Sequence, residues 1–269
     1  MPPLRLAVIG DPISHSRSPA IHTAALDALE IEGSYRAWRI TPAEIEDVIA
    51  ALRGGDLDGV NVTMPLKGLA AALVDDVSPE ARRAGSVNTI VRHPNGRLSG
   101  HSTDISAMRR VWPEAPRPTT LVLGAGGAAA AACLAAPEGT VYVSARRAGA
   151  VANLADRLQM DLVALPWEAA VVEAVVVNAT PVGMDGETLP ARTIGLCAGL
   201  IDLAYGPRPT PAVVAARGAG IPTVDGVEFL VAQASDSFRL WTGREAPLDT
   251  MIRGARNSSS QDHETPNHA

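Results

Sequence analysis

Thr119-Thr-Leu-Val-Leu-Gly124-Ala125-Gly126-Gly127-Ala128-Ala129 carries an apolar strand directly into Gly-x-Gly-x-x-Ala, and an alanine-rich helical stretch follows. Gly124 permits the tight turn, Gly126 lets the backbone approach a pyrophosphate seated on the helix N-terminus, and Ala129 takes the close-packing position. Glycines alone would suit any tight strand-to-helix turn. With a strand before and a helix after, the stretch reads as the phosphate-binding turn of a dinucleotide unit, with Gly124, Ala125, Gly126, Gly127 and Ala128 as candidate cofactor contacts. The end of the next strand selects the nucleotide. An NAD site places a carboxylate there for the ribose 2′-hydroxyl, whereas Val141-Tyr-Val-Ser144-Ala145-Arg146-Arg147 offers guanidiniums and no acid. Paired guanidiniums suit a 2′-phosphate. Ala145, Arg146 and Arg147 are therefore candidate contacts for NADP, the alternative being a solvated basic turn.

Upstream, Trp112-Pro-Glu-Ala-Pro-Arg-Pro118 reads as a linker. Downstream, strands are expected at 141–144, 175–177 and 200–202, a helix near 151–158 and a long helix over 227–241. The first hundred residues alternate in the same way: strand 4–9, a helix opened by Ser18-Pro19, strand 35–39, a helix announced by Thr41-Pro-Ala-Glu44, and the buried strand Gly59–Val62. Such alternation predicts an α/β protein with mainly parallel sheets. Beyond Arg253 the sequence is polar and unpatterned, and 255–269 is expected to be disordered.

The length of 269 residues accommodates two domains, and 46% hydrophobic residues with only 3% aromatic predict a core of Ala, Val, Leu and Ile. A net charge of −6 without a basic block argues against nucleic acid as a partner. The two cysteines, Cys133 and Cys197, lie in apolar segments, and with no His-Glu-x-x-His motif no metal site is expected. The start lacks a secretory signal and no apolar run approaches the ~18 residues of a membrane span, so no membrane association and a cytoplasmic location are expected.

Among the 23 basic residues, Lys67 is the sole lysine. An amine, unlike a guanidinium, can exchange its proton near neutral pH when its surroundings favour it. Short hydrogen-bonding residues accompany it. His15-Ser16-Arg17-Ser18-Pro19 places two hydroxyls at a helix start. Asn61 and Thr63 share one strand face, Asn88-Thr89 follows Gly85-Ser-Val, and Ser102-Thr103-Asp104 precedes the linker. Each taken singly suits a turn or a cap. Together they suit a small polyhydroxylated acid.

The chain resembles the shikimate dehydrogenase family over nearly its whole ordered length. The matching blocks are Gly10-Asp-Pro-Ile-Ser-His-Ser16-Arg-Ser18-Pro-Ala-Ile-His22, Gly59-Val-Asn61-Val-Thr63-Met-Pro-Leu-Lys67, Gly85-Ser-Val-Asn88-Thr, Thr103-Asp104, Gly124-Ala-Gly-Gly, Asn178-Ala-Thr-Pro-Val-Gly-Met184, Asp202-Leu-Ala-Tyr205-Gly-Pro-Arg-Pro-Thr210 and Gly226-Val-Glu-Phe-Leu-Val-Ala-Gln233. The resemblance implies a substrate domain over 1–103 completed by 228–254, a Rossmann-like NADP domain over 104–227, and an active site in the cleft between them. It implies reversible NADP(H)-dependent reduction of 3-dehydroshikimate to shikimate in aromatic amino acid biosynthesis. Ser16 and Ser18 would hold the substrate carboxylate. Asn61, Thr63, Asn88, Asp104 and Gln233 would hold the ring hydroxyls. Lys67 and Asp104 would form the catalytic pair, and Tyr205 would lie near both substrate and nicotinamide. Asn178, Ala179, Thr180, Met184 and Gly226 would flank the cofactor. A monomer or homodimer is expected.

The match has departures. Thr23 stands for a common Asn, Ser102 for the Asn of Asn-Thr-Asp, Ala130 for a frequent Arg, and Ala145-Arg146-Arg147 for Asn-Arg-Thr. The alternatives are an NAD-linked quinate or quinate/shikimate dehydrogenase, a dehydrogenase for an amino-substituted analogue, and a non-catalytic regulator that binds shikimate or NADP.

Overall fold

The computed structural model describes residues 2–116 and 118–261. The chain divides into two compact units, one formed up to Thr103 and again from Val231, the other formed by Asp104–Leu230.

The first unit begins with β1 (Leu4–Gly10), α1 (Ser18–Ala28), β2 (Gly33–Arg39), a 3-10 turn, α2 (Ile45–Gly54), β3 (Gly59–Val62) and α3 (Lys67–Leu73). It continues with β4 (Asp76–Val77), α4 (Pro79–Ala84), β5 (Thr89–Arg92) and β6 (Leu98–His101). The six strands form one sheet in the order β2-β1-β3-β5-β6-β4. β1 runs parallel to β2 and β3, as alternating strands and helices predict, but β5 is antiparallel to both β3 and β6. The β5–β6 reversal has a local cause. At Asn95-Gly96 the glycine adopts φ +80° and His93 N–H bonds Arg97 O at 2.9 Å, closing a tight hairpin. The core packs Ile9, Val60, Val62, Leu66, Ile90 and Leu98 against Val48 and Leu52 of α2.

α5 (Thr103–Val111) carries the chain into the second unit, where β7 (Thr119–Leu123), α6 (Gly127–Ala135), β8 (Thr140–Ser144), α7 (Ala150–Leu158) and β9 (Val163–Leu165) make the first half. β10 (Val175–Asn178), α8 (Ala191–Gly195), β11 (Gly199–Asp202), α9 (Pro211–Gly218) and β12 (Thr223–Val224) make the second. The sheet order β12-β11-β10-β7-β8-β9 is entirely parallel. This is the 3-2-1-4-5-6 order of dinucleotide-binding sheets, with its topological switch between β7 and β10. β10 and β11 are buried throughout, as strands covered on both faces should be. Cys133 and Cys197 are buried here, and burial pushes the Cys133 thiol up to about 12.

α10 (Gly226–Thr242) returns the chain to the first unit, and α11 (Leu248–Gln261) packs on α1. α11 corrects the expectation of disorder from 255. Met251 and Ala255, four residues apart on one face, are buried, and Arg17 donates to Ala255 O at 3.3 Å. Gly254 makes the approach possible, since a Cβ there would meet Ala20 O at 2.8 Å. A helix face docked on a neighbour outweighs a polar composition. The remainder of the expected tail, 262–269, lies outside the described residues. Among the described residues no helix is long and apolar enough to cross a membrane.

Candidate functional site

In the first unit the loops after β1 and β3 are stitched together. Thr63 N–H bonds Ile9 O at 2.9 Å and Asp11 N–H bonds Met64 O at 3.0 Å. Gly10 permits this closeness, because a Cβ there would collide with Thr63 Cγ2 and stand 2.8 Å from Met64 O. The stitch fixes Thr63 beside the loop that carries Ser16. Ser16 Oγ accepts the Ser18 N–H at 3.3 Å, and α1 starts at Ser18 without a side-chain cap, so Ser18 is not the cap its sequence suggests. Both seryl hydroxyls thus stand at the opening of α1, where helix N–H groups favour an anion.

Lys67 is the first residue of α3, and its carbonyl accepts from Val87 N at 3.0 Å, which places it next to the segment bearing Asn88. Asn61, Asn88 and Gln233 meet in a buried network. Asn61 Nδ2 donates to Asn88 O at 3.2 Å, Thr89 Oγ1 at 3.0 Å and Ser237 Oγ at 2.9 Å. Asn61 Oδ1 accepts from Tyr35 Oη at 2.7 Å. Asn88 Oδ1 accepts the Thr103 N–H at 2.8 Å, while Asn88 Nδ2 donates to Thr103 Oγ1 at 3.0 Å and Gln233 Oε1 at 3.4 Å. Buried amides this fully engaged have one orientation open to them. Sequence reasoning assigns no role to Tyr35 or Ser237. Ser237 leaves a faint signal, since it lies one helical turn from Gln233 on the same face of α10.

Behind the network sits His22, fully buried and stacked on Tyr35 with ring centroids 4.3 Å apart. Burial pushes its imidazole down to about 3, a shift that nearby Asn61 only partly opposes. Neither His22 nitrogen finds a hydrogen bond of normal geometry. His22 is therefore a neutral aromatic filler.

In the second unit, Asp104 lies in the first turn of α5 and is 6% exposed. The glycine turn joins β7 to α6. Gly124 has φ +113°, and a Cβ there would stand 2.9 Å from Ala179 O, whereas nothing lies within 4 Å of a Cβ placed on Gly126. Close packing at one glycine and open space at the other leave room for a phosphate against α6. Ala145, Arg146 and Arg147 follow β8, and both guanidiniums are exposed without an acidic partner among the described residues.

Across the switch point, Asn178 closes β10 and turns inward. Its Nδ2 donates to Val182 O at 2.9 Å and Asp202 Oδ1 at 2.8 Å, and its Oδ1 accepts from Thr180 Oγ1 at 2.6 Å. Asp202 is raised by burial, a shift countered by hydrogen bonds from Thr210, Asn178 and the Ala204 N–H. This bracket shapes the 178–184 loop, which leaves Met184 exposed. Gly226 opens α10 where any Cβ would collide with Ala204 O, and Tyr205, next along the chain from Ala204, is half-buried.

Two family models match the chain: the shikimate dehydrogenase substrate binding domain over residues 8–90, and the shikimate 5′-dehydrogenase C-terminal domain over residues 226–253. The NADP(+)-dependent shikimate dehydrogenase of Streptococcus pneumoniae (strain CGSP14) is 36% identical over 91% of this chain and 93% of its own. That of Thermus thermophilus is 38% identical over 95% and 98%. Among solved structures, shikimate 5-dehydrogenase from Thermus thermophilus in complex with NADP(H) and shikimate aligns with a TM-score of 0.85 at 36% identity, covering 95% of this chain and 99% of that one. The Mycobacterium tuberculosis enzyme aligns with a TM-score of 0.82 at 30% identity, covering 95% and 100%. Identity at this level over nearly the full length of both chains establishes kinship: the chain belongs to the shikimate dehydrogenase family.

Proposed function

We propose that the protein is an NADP-dependent shikimate dehydrogenase that reversibly reduces 3-dehydroshikimate to shikimate. The reading is carried by the match, across 95% of this chain, to an enzyme solved with NADP(H) and shikimate. The nucleotide side fits the cofactor, with a glycine turn open at Gly126, a parallel sheet in dinucleotide order and guanidiniums after β8 that have no acidic partner among the described residues. NADPH, when bound, supplies the hydride for the ketone carbon.

The chain's own residues hold the substrate and move the proton. Ser16 and Ser18 receive the carboxylate at the opening of α1. Thr63, Asn88 and Gln233 hold ring hydroxyls, and Asn61 joins them through the one acceptor lone pair that Tyr35 leaves on its oxygen. As hydride adds to the carbonyl carbon, negative charge develops on its oxygen. The Lys67 ammonium stabilises that charge and donates the proton, while Asp104 orients the same substrate hydroxyl. Asn178, Ala179, Thr180, Met184, Tyr205 and Gly226 shape the nicotinamide side, with Asn178 acting through the loop it braces.

Arginine at position 67 would keep the charge and lose the readily donated proton. Lys67→Arg should lower kcat at least about 100-fold while changing the KM for shikimate less than about threefold. Initial rates with shikimate or quinate, each paired with NADP+ or NAD+, provide the check. Near-normal turnover of the variant would remove Lys67 from proton transfer, and faster turnover of quinate with NAD+ would overturn the substrate and cofactor together.

A further inference from the structure

Resting on the NADP reading, we infer that the 2′-phosphate is gripped by Arg147 together with Arg157, a residue of α7 outside every matching block. A cavity of about 280 Å³ is lined by Ala125 of the glycine turn, Arg147 and Ala148 after β8, and Ala150, Asn153, Leu154 and Arg157 of α7. Its volume lies at the small end of ligand sites and suits one phosphorylated ribose, not a whole dinucleotide. Ala125 follows β7 and Arg147 follows the neighbouring β8, so the cavity lies beyond the carboxyl ends of adjacent parallel strands. A nucleotide with its pyrophosphate on α6 places its adenosine ribose there.

Asn153 and Arg157 are one helical turn apart and share a face of α7. Helical side chains lean toward the N-terminus, which aims Arg157 back toward the cavity and Arg147. Neither guanidinium has a carboxylate partner among the described residues, although the chain carries an excess of acid and Arg39, Arg53, Arg97 and Arg217 each hold an aspartate. The helix dipole accounts for a cation in the last turn of α7 but not for one that lines a cavity. Arg146, which keeps the family's charge, does not line it. The arrangement transfers the phosphate grip from Arg146 to the pair Arg147 and Arg157, with the Asn153 amide between them as a neutral donor.

The test is nucleotide binding without substrate, followed by nicotinamide fluorescence with NADPH and NADH, so that turnover plays no part. Arg157→Ala should weaken NADPH about 10- to 100-fold and leave NADH within about twofold, because a charge-assisted contact to the 2′-phosphate is lost and nothing else. Arg157→Lys should recover part of the loss. Asn153→Asp, which faces the phosphate with a carboxylate, should also weaken NADPH selectively. The assignment falls if Arg157→Ala keeps the wild-type NADPH/NADH ratio within about twofold. If Arg146→Ala abolishes that ratio at the same time, the NADP reading survives and only the Arg157 role is lost. A wild-type protein that binds NADH as tightly as NADPH would bring down both.

Discussion

Asn61 shows how a single side chain is held for work. Its amide donates to Asn88 O, Thr89 Oγ1 and Ser237 Oγ and accepts from one phenol, so rotation would break all four contacts. Tyr35→Phe removes only the phenolic donor and leaves the buried Asn61 oxygen short of a partner, at a cost of about 1–2 kcal/mol. Urea titration should register that loss, with KM for shikimate rising more than kcat falls. An unchanged midpoint and KM would show that Tyr35 does not hold the amide. His22 makes a separate prediction about pH. Its folded-state value of about 3 lies below the ordinary 6.5, so as pH falls below 6.5 the unfolded chain takes up a proton that the folded chain refuses. Stability should therefore decline toward acid, by roughly 1.4 kcal/mol per pH unit from this group. His22→Phe should flatten the decline between pH 7 and 5 relative to wild type, and equal slopes in the two proteins would refute the buried-neutral assignment.

Among the elements, the βα junction of β7 and α6 carries the strongest constraint. Gly124→Ala adds a methyl 2.9 Å from Ala179 O at a backbone angle that L-residues avoid. NADPH binding should fall at least about tenfold with the protein still folded, as circular dichroism would show; undiminished binding would remove the turn from the cofactor site. This junction was legible in the sequence because strand, turn and helix signals are all local, and β7 and β3 begin and end where apolar patterning puts them. Four features were not so legible. The antiparallel β5–β6 pair follows from Asn95-Gly96, a hairpin signal overshadowed by the alternation around it. The helix reaching Gln261 depends on Ala20 and Ala24, more than two hundred residues earlier, which no local pattern reports. The Ser237 bracket on Asn61 is of the same kind, as is the role inferred for Arg157, which rests on a cavity and not on a motif.

At the scale of the whole molecule, the second unit is inserted into the first, which is completed only by α10 and α11. Stopping the chain after Glu245 removes α11 and strips the cover from α1. The first unit should lose stability while the second keeps its own. Calorimetry should therefore resolve an early transition abolished by the truncation and a later one that persists and shifts upward with NADPH, whereas a single coincident transition would mean the units do not unfold separately. The insertion also sets a clock on synthesis. Asn61 and Ser237 are 176 positions apart. At ribosomal rates of about 5–20 residues per second, roughly 9 to 35 s separate the making of the amide from the making of the hydroxyl that braces it. Throughout that interval the nascent chain can complete its all-parallel nucleotide sheet, while the early strands wait, half-covered, for the last helices. A chaperone that recognises exposed apolar strands would meet this protein at its beginning, long after the beginning was made.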